Sequence, residues 1–234
     1  MTLPRRAATA LRRHGVAGLP TAAARRLAAS ARERLDAAGE RAFDRRRGIA
    51  TTGVVRASES APSAGYQPVH PKAFRDLLAH VPAERRAMTF VDYGSGRGRA
   101  LLLALEHGFG AAVGVEVEPA LHRDAEANLA RYRAKMGRDG AIRLIEGDAR
   151  HFRLPSGPVV VFLYNPCARE VLIEILAGIR GALREEPRPA WIVYEAPLDR
   201  DLLDADPAFA LVAQRTERAG ASARRPRFAV YRAV

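Results

Sequence analysis

The sequence predicts an α/β fold built on one seven-stranded, mostly parallel sheet, and three observations favour it. Short apolar runs typical of buried strands alternate with helical patterns from residue 89 onward. A glycine-rich loop directly follows the first run, where a strand-to-helix turn is expected. Two final runs flank a turn around Gly220, which predicts a C-terminal antiparallel pair. Alternating strands and helices are typical of a sheet covered by helices on both faces.

The individual elements follow from apolar periodicity and length. Five strands are expected in the parallel part, at 89–93, 111–117, 141–148, 158–166 and 189–195. Helices are expected at Lys72–His80, Arg99–His107, Pro119–Met136 and Val171–Leu183. The C-terminal pair is expected at Ala208–Thr216 and Pro226–Val234. In the first helix, Phe74, Leu77 and Leu78 should face the core.

Residues 1–47 form a separate, Arg/Ala-rich segment. They hold 12 Arg and 4 acids, so +8 of the formal net charge of +12 lies there. Strong helix formers from Thr21 to Arg47 predict a helical extension, and its charge suits contact with a polyanion. Two other interpretations fit. The Arg and Ala bias of a GC-rich genome gives the same composition, and an N-terminus without early acids also resembles an organellar transit peptide.

Residues 48–71 are rich in turn formers and poorly periodic, so they are expected to form a loop that precedes a main domain at 72–234. The single cysteine, Cys167, excludes a disulfide framework and a Cys-based zinc site, and no metal is expected. No apolar run approaches the ~18 residues that a membrane span needs. An uninterrupted secretory signal is also missing, so a cytoplasmic location is predicted.

Polar residues at the ends of four predicted strands form the candidate site. They are Asp92, Glu116, Asp148 and Asn165. Because the carboxyl ends of parallel strands meet at one edge of a sheet, where α/β proteins bind ligands, we expect these side chains to lie close together. A carboxylate at Glu116 can accept both hydroxyls of a ribose, and one at Asp148 can accept a hydrogen bond from an adenine amino group. Each could equally be an ordinary strand-end or turn carboxylate.

The glycine-rich loop after the first strand contains Gly94, Ser95, Gly96 and Gly98. Glycines there permit a tight turn and close backbone approach to a ligand, and a helix N-terminus offers free N–H groups to an anion. The loop departs from the dinucleotide pattern G-x-G-x-x-G because its third glycine comes one residue early. The loop is therefore a candidate ligand-binding turn without a dinucleotide signature.

Taken together, these motifs resemble the class I (seven-strand) S-adenosylmethionine-dependent methyltransferases over residues 66–234. The run F-V-D-Y-G-S-G-R-G is similar to that family's first motif, V-E-V-E to its second and G-D-A to its third. The resemblance implies a Rossmann-like sheet and S-adenosyl-L-methionine as the cofactor. It further implies that Asp92 and the glycine loop hold the methionine part and that Glu116 holds the ribose. Asp148 with Ala149 would hold the adenine.

Tyr164-Asn165-Pro166-Cys167 ends the fourth predicted strand, where methyltransferases that act on nitrogen carry an Asn/Asp-Pro-Pro-aromatic motif. That resemblance implies that the Asn165 side chain and a backbone carbonyl accept hydrogen bonds from a target amine beside the cofactor. Asn165 and Pro166 are therefore candidate catalytic residues. Cys167 and Ala168 replace the second proline and the aromatic residue, so the base-stacking residue of the motif is missing. An Asn-Pro pair can also simply end a strand.

A narrower likeness concerns the run from Tyr93 to Asn128, which resembles the branch that contains protein lysine and DOT1-type methyltransferases. Tyr66-Gln67-Pro68 and Tyr164–Cys167 are also similar to elements of a group of bacterial methyltransferases. That likeness implies that residues 48–71 fold over the cofactor as an active-site lid, with Tyr66 near the methyl group.

The leading hypothesis is a methyltransferase whose acceptor is a nitrogen of a protein side chain, a small metabolite or a nucleic acid. A nucleotide-dependent oxidoreductase is an alternative, because Glu116 also suits the ribose of NAD. A non-catalytic protein that binds nucleic acid or an acidic partner through residues 1–47 is another.

Overall fold

The computed structural model describes residues 37–56, 65–137, 140–219 and 223–234. The chain divides into two units, Met1–Arg46 and Arg47–Val234. Residues 37–47 are helical, in agreement with the end of the predicted N-terminal helix; the rest of that prediction, and the turn around Gly220, lie outside the described residues. Among the described residues, no helix is both long and apolar enough to cross a membrane.

The second unit contains the predicted seven-stranded sheet. Its strands are β1 Thr89–Tyr93, β2 Ala111–Glu116, β3 Ala141–Glu146, β4 Val159–Leu163, β5 Ala190–Glu195, β6 Phe209–Ala219 and β7 Ala223–Ala233. They lie in the order β3-β2-β1-β4-β5-β7-β6. The first five are parallel, and β7 runs antiparallel to both of its neighbours. The predicted fold class and its terminal strand pair are confirmed.

Five α-helices accompany the sheet in this unit's described residues. They are α1 Pro71–Leu78, α2 Arg99–Glu106, α3 Pro119–Met136, α4 Arg169–Glu185 and α5 Asp201–Asp204. The first four were predicted, and the four-residue α5 was not. α1 begins at a proline, and the Nδ1 atom of His70 caps it by accepting a hydrogen bond from Lys72 N at 3.1 Å. Phe74, Leu77 and Leu78 of α1 are buried, as predicted.

The core lies on both faces of the central strands. Every residue of Val159–Leu163 in β4 is buried, because this strand has neighbours on both edges and helices on both faces. On one face, the rings of Phe90 and Phe162 stack at 5.7 Å and both contact Phe74 of α1. On the other face, α4 packs its apolar side against β1, β4 and β5. This packing fixes the ends of β1 and β4 beside each other.

Two of the predicted strands end two or three residues earlier than the sequence pattern indicates. β3 ends at Glu146 and β4 at Leu163, so Asp148 and Asn165 lie in the following loops rather than in strands. The sequence-based prediction made both strands too long because it assigned the polar residues of the following loops to the strand ends. Polar side chains in these loops are free to turn toward different neighbours, and Asp148 and Asn165 do so.

The connection from β3 to β4 contains no α-helix. Its only helical element is the three-residue 3-10 helix Ala149–His151. β3 is also an edge strand, and its residues are half-buried or exposed. One face of the sheet is therefore only lightly covered near β3.

Candidate active site

A cavity of about 830 Å³, counted with its opening to solvent, lies at the carboxyl edge of the parallel strands. The ends of β1 and β2 meet there with the loops that follow β3 and β4, as this topology requires. Eight of the predicted site residues line the cavity: Tyr66, Asp92, Gly94, Ser95, Glu116, Asp148, Ala149 and Pro166. The remaining three, Gly96, Gly98 and Asn165, are not part of its lining.

Asp92 and Glu116 are the buried acids of the cavity wall, and each is only 4% exposed. Burial, reinforced by the charge of Glu116, raises the pKa of Asp92 to about 8. Burial also raises the pKa of Glu116, although its carboxylate accepts hydrogen bonds from the N–H groups of Gly96 (2.7 Å) and Glu118 (2.9 Å). A positive charge beside the two acids would offset the cost of ionising them, so the cavity favours a cationic ligand.

The N–H groups of the glycine loop are used within the protein. Gly94 N and Ser95 N both donate to Val115 O, at 2.9 and 3.0 Å, and Gly96 N donates to Glu116. These groups are therefore engaged, whereas the sequence led us to expect free N–H groups facing the ligand. An anionic part of a ligand has to find its donor elsewhere in the cavity.

Each of the three loop glycines is required at its position for a different structural reason. Gly94, Gly96 and Gly98 all have positive φ angles, which side chains rarely adopt. A Cβ on Gly94 would lie 2.8 Å from Pro166 Cβ, so the glycine lets the loops after β1 and β4 touch. A Cβ on Gly96 would overlap the ring of Tyr66. Gly98 is the N-cap residue of α2.

Tyr66 attaches the segment 48–71 to the glycine loop. Gly65–Tyr66 pairs with Val55–Arg56 in a two-residue antiparallel ladder. The Tyr66 hydroxyl donates a hydrogen bond to Thr51 O at 2.6 Å, and the Arg97 guanidinium lies 5.3 Å from the centre of its ring. Tyr66 is buried and lines the cavity. The described ends of this segment thus lie against the cavity wall, and a lid function stays a prediction.

Arg99 is a cavity residue that the sequence analysis missed. It is the first residue of α2, only 1% exposed, and lines the cavity. Its Nε donates to the Thr51 hydroxyl at 2.7 Å and its Nη2 to the Thr52 hydroxyl at 3.2 Å. A longer contact of 3.4 Å joins Nη1 to Val69 O. The cavity lining therefore contains a buried cation as well as the two acids. The signal in the sequence was the unusual arginine directly after the last loop glycine.

The Asp148 carboxylate is engaged by Arg150. Both of its oxygens accept hydrogen bonds from the Arg150 guanidinium, the shortest at 2.6 Å, and Arg150 N adds one at 2.9 Å. The Arg150 guanidinium accordingly lowers the pKa of Asp148. Asp148 and Ala149 line the cavity, but a ligand amino group would share the Asp148 carboxylate with Arg150.

The Asn165 side chain has partners other than those expected from the sequence. Its Nδ2 donates to Ala196 O at 3.0 Å, and its Oδ1 accepts hydrogen bonds from the Tyr194 hydroxyl (3.0 Å) and Leu198 N (3.3 Å). Asn165 itself has a positive φ of 45°. Because both lone-pair directions of Oδ1 are used, this amide ties the loops after β4 and β5 together and is not free to orient a substrate amine.

Cys167 follows Pro166 in the cavity lining. Burial raises the pKa of its thiol to about 12, so the thiol stays protonated at neutral pH. A protonated, half-buried thiol is suited to packing rather than to nucleophilic attack. Tyr164, from the same motif, also lines the cavity.

No protein-family model and no curated protein matches this chain. The structure is similar to an Escherichia coli protein described as a candidate methyltransferase, with 19% identity, a TM-score of 0.53, and coverage of 79% of this chain and 97% of that one. A candidate RNA methyltransferase from Pyrococcus horikoshii matches with 18% identity, a TM-score of 0.50, and coverage of 72% and 86%. A SAM-dependent methyltransferase from Leishmania major matches with 12% identity, a TM-score of 0.50, and coverage of 68% and 70%.

These similarities concern the fold, since the identities are low. The narrower likeness to protein lysine and DOT1-type enzymes stays a prediction. In its sheet order, strand directions and flanking helices, the chain has the Rossmann-like, seven-strand fold of the class I methyltransferases.

Proposed function

We propose that this chain is an S-adenosylmethionine-dependent methyltransferase. The observation that carries the proposal is the pair of buried acids, Asp92 and Glu116, whose pKa values are both raised at the ends of adjacent strands. Acids in this state favour a positively charged ligand. The buried Arg99 in the same cavity favours a carboxylate on that ligand as well.

S-adenosylmethionine has the matching chemistry. It carries a sulfonium, an ammonium, a carboxylate, a ribose and an adenine, and when bound it supplies an electrophilic methyl group. The residues present therefore fit this cofactor in charge.

In this proposal each end of the cavity recognises one part of the cofactor. Asp92 and Arg99 bind the ammonium and the carboxylate of the methionine part. Glu116 binds the ribose hydroxyls, and Asp148 with the backbone at Ala149 binds the adenine. These roles are supported by the charge and burial of the side chains and by their common cavity.

The proposed acceptor is a nitrogen, and this part rests on the Tyr-Asn-Pro pattern after β4. Since the Asn165 amide is engaged by the loop after β5, Tyr66, Tyr164 and Pro166 are the motif residues left to contact the acceptor. Catalysis would come mainly from alignment of the acceptor with the methyl group, since positioning alone lowers the barrier of a bimolecular transfer substantially.

Calorimetric titration with S-adenosylmethionine, S-adenosylhomocysteine and NADH tests this proposal. We expect saturable binding of the first two and none of NADH. Glu116→Gln should weaken S-adenosylmethionine binding by about tenfold, because one charge-assisted hydrogen-bond acceptor for the ribose is lost. Glu126→Gln, on the exposed side of α3, is the matched control and should leave the affinity unchanged. Binding of NADH instead, or equal affinity in both variants, would contradict the assignment.

A further inference from the structure

A second groove, of about 870 Å³ counted with its opening to solvent, lies on the sheet face beside β3. It exists because the β3–β4 connection has only the 3-10 helix Ala149–His151 where an α-helix could cover the sheet. Side chains alternate along a strand. Ile142 and Leu144 face the side of α2 and α3, so Arg143 and Ile145 face this groove.

The charge of the groove is positive. Arg143, His151 and Arg153 line it and are exposed, and their side chains have no hydrogen bond or ion pair with any described residue. Asp148 lines it too, but its carboxylate is matched by Arg150 at 2.6 Å. The two arginines therefore face the groove without a protein carboxylate of their own, whereas His151 lies close enough to the Asp148 carboxylate to interact with its charge.

The floor of the groove is apolar. Val115, Ile145 and Phe152 line it, and Phe152 and Ile145 are half-buried. The Phe152 ring packs edge-on against Tyr93, with 5.7 Å between ring centres, and its remaining surface lines the groove. Cations beside an aromatic floor suit a chain of alternating phosphates and flat bases.

We propose that this groove binds a single-stranded nucleic-acid segment, with Arg143 and Arg153 on phosphates and a base against Phe152. The inference goes beyond the proposed function, because the groove meets the cofactor cavity only at its rim, at Val115, Gly147 and Asp148. An acidic polypeptide would match the arginines but would leave the aromatic floor without a stacking partner.

Fluorescence anisotropy of a labelled 12-nucleotide single-stranded RNA, measured with the full chain at several salt concentrations, tests the inference. The double variant Arg143→Gln/Arg153→Gln should reduce the slope of log K against log salt by about 1.4, because each lost phosphate contact contributes ~0.7 on a single strand. At 0.1 M salt this corresponds to a loss of affinity of about 25-fold. The control Arg123→Gln/Arg184→Gln removes two exposed arginines of α3 and α4 and should leave the slope unchanged.

Two results would overturn the inference. One is an equal slope for the groove and control variants, which would mean that bound RNA lies elsewhere on the chain. The other is displacement of the labelled RNA by polyglutamate as effectively as by unlabelled RNA at equal concentrations of negative charge, which would indicate that the groove binds acidic polypeptides. Titration with S-adenosylmethionine distinguishes the failure of this inference from the failure of the proposed function. If the groove variant binds both S-adenosylmethionine and RNA as the wild type does, only the inference about the groove is contradicted. If the wild-type chain does not bind S-adenosylmethionine, only the proposed function is contradicted.

Discussion

Asp92→Asn is expected to make the ligand-free protein more stable while it weakens cofactor binding. The Asp92 side chain is almost completely buried at the end of β1, next to the Glu116 carboxylate. The amide has the same shape as the carboxyl group but cannot ionise. The substitution therefore separates the charge of Asp92 from its packing.

The magnitude follows from the two pKa values of the carboxyl group. Burial sets the pKa of Asp92 at about 8 in the folded chain, against an ordinary value of 3.8. Between these values the folded state keeps a proton that the unfolded state has lost, so stability falls as the pH rises, by about 1.4 kcal/mol per pH unit. At pH 7 the accumulated cost is about 4 kcal/mol. The buried amide has its own desolvation cost, so we expect a net gain of about 2 kcal/mol, or roughly 4–8 °C in Tm.

Thermal unfolding of the two proteins without ligand, at pH 5, 6, 7 and 8, measures this effect. The advantage of Asp92→Asn should grow with pH and level off above pH 8. Asp204→Asn is the matched control of opposite sign, because the Arg200 guanidinium, with the Tyr231 hydroxyl, lowers the pKa of Asp204. That control should lose stability above pH 4. A pH-independent difference between Asp92→Asn and the wild type, or a lower Tm for Asp92→Asn at pH 8, would show that Asp92 does not carry this cost of burial.

Three further predictions concern the same site. Gly96→Ala should lower stability by about 2 kcal/mol or more in thermal unfolding, because it combines a positive φ with overlap of the Tyr66 ring. Gly137→Ala is the control: Gly137 has a similar φ but open space around it, so this substitution should lower stability by about 1 kcal/mol. Asn165→Ala should lower stability by about 2 kcal/mol through its lost hydrogen bonds and change the Kd for S-adenosylmethionine less than threefold in calorimetry. At pH 7, cofactor binding should release close to one proton in the wild type and none in Asp92→Asn, as read from titrations in buffers of different ionisation enthalpy.

Much of the fold could be predicted from the sequence because local patterns determine it. β1 has the predicted bounds, and so does α3, which starts at Pro119 and ends before Gly137. Apolar runs buried on both faces and helices with clear caps carry their signals within a few residues. The strand ends at Glu146 and Leu163 were less predictable, because polar loop residues continue the pattern.

Site residues could be predicted where the end of a strand places them in the cavity. They could not be predicted where contacts with a loop distant in the sequence determine their burial or their partners. Asp92 and Glu116 line the cavity because their strands end there. Arg99 was missed because its burial depends on Thr51, which is 48 residues away in the sequence. The partners of Asn165 lie at the end of β5 and in the loop after it, which no motif after β4 could indicate.

A crystal structure of the chain with bound S-adenosylhomocysteine would show how the cavity holds the cofactor. We expect the ribose hydroxyls within hydrogen-bond distance of the Glu116 carboxylate and the homocysteine end between Asp92 and Arg99. A ligand whose ribose lies away from Glu116, or one that binds outside the cavity, would contradict it.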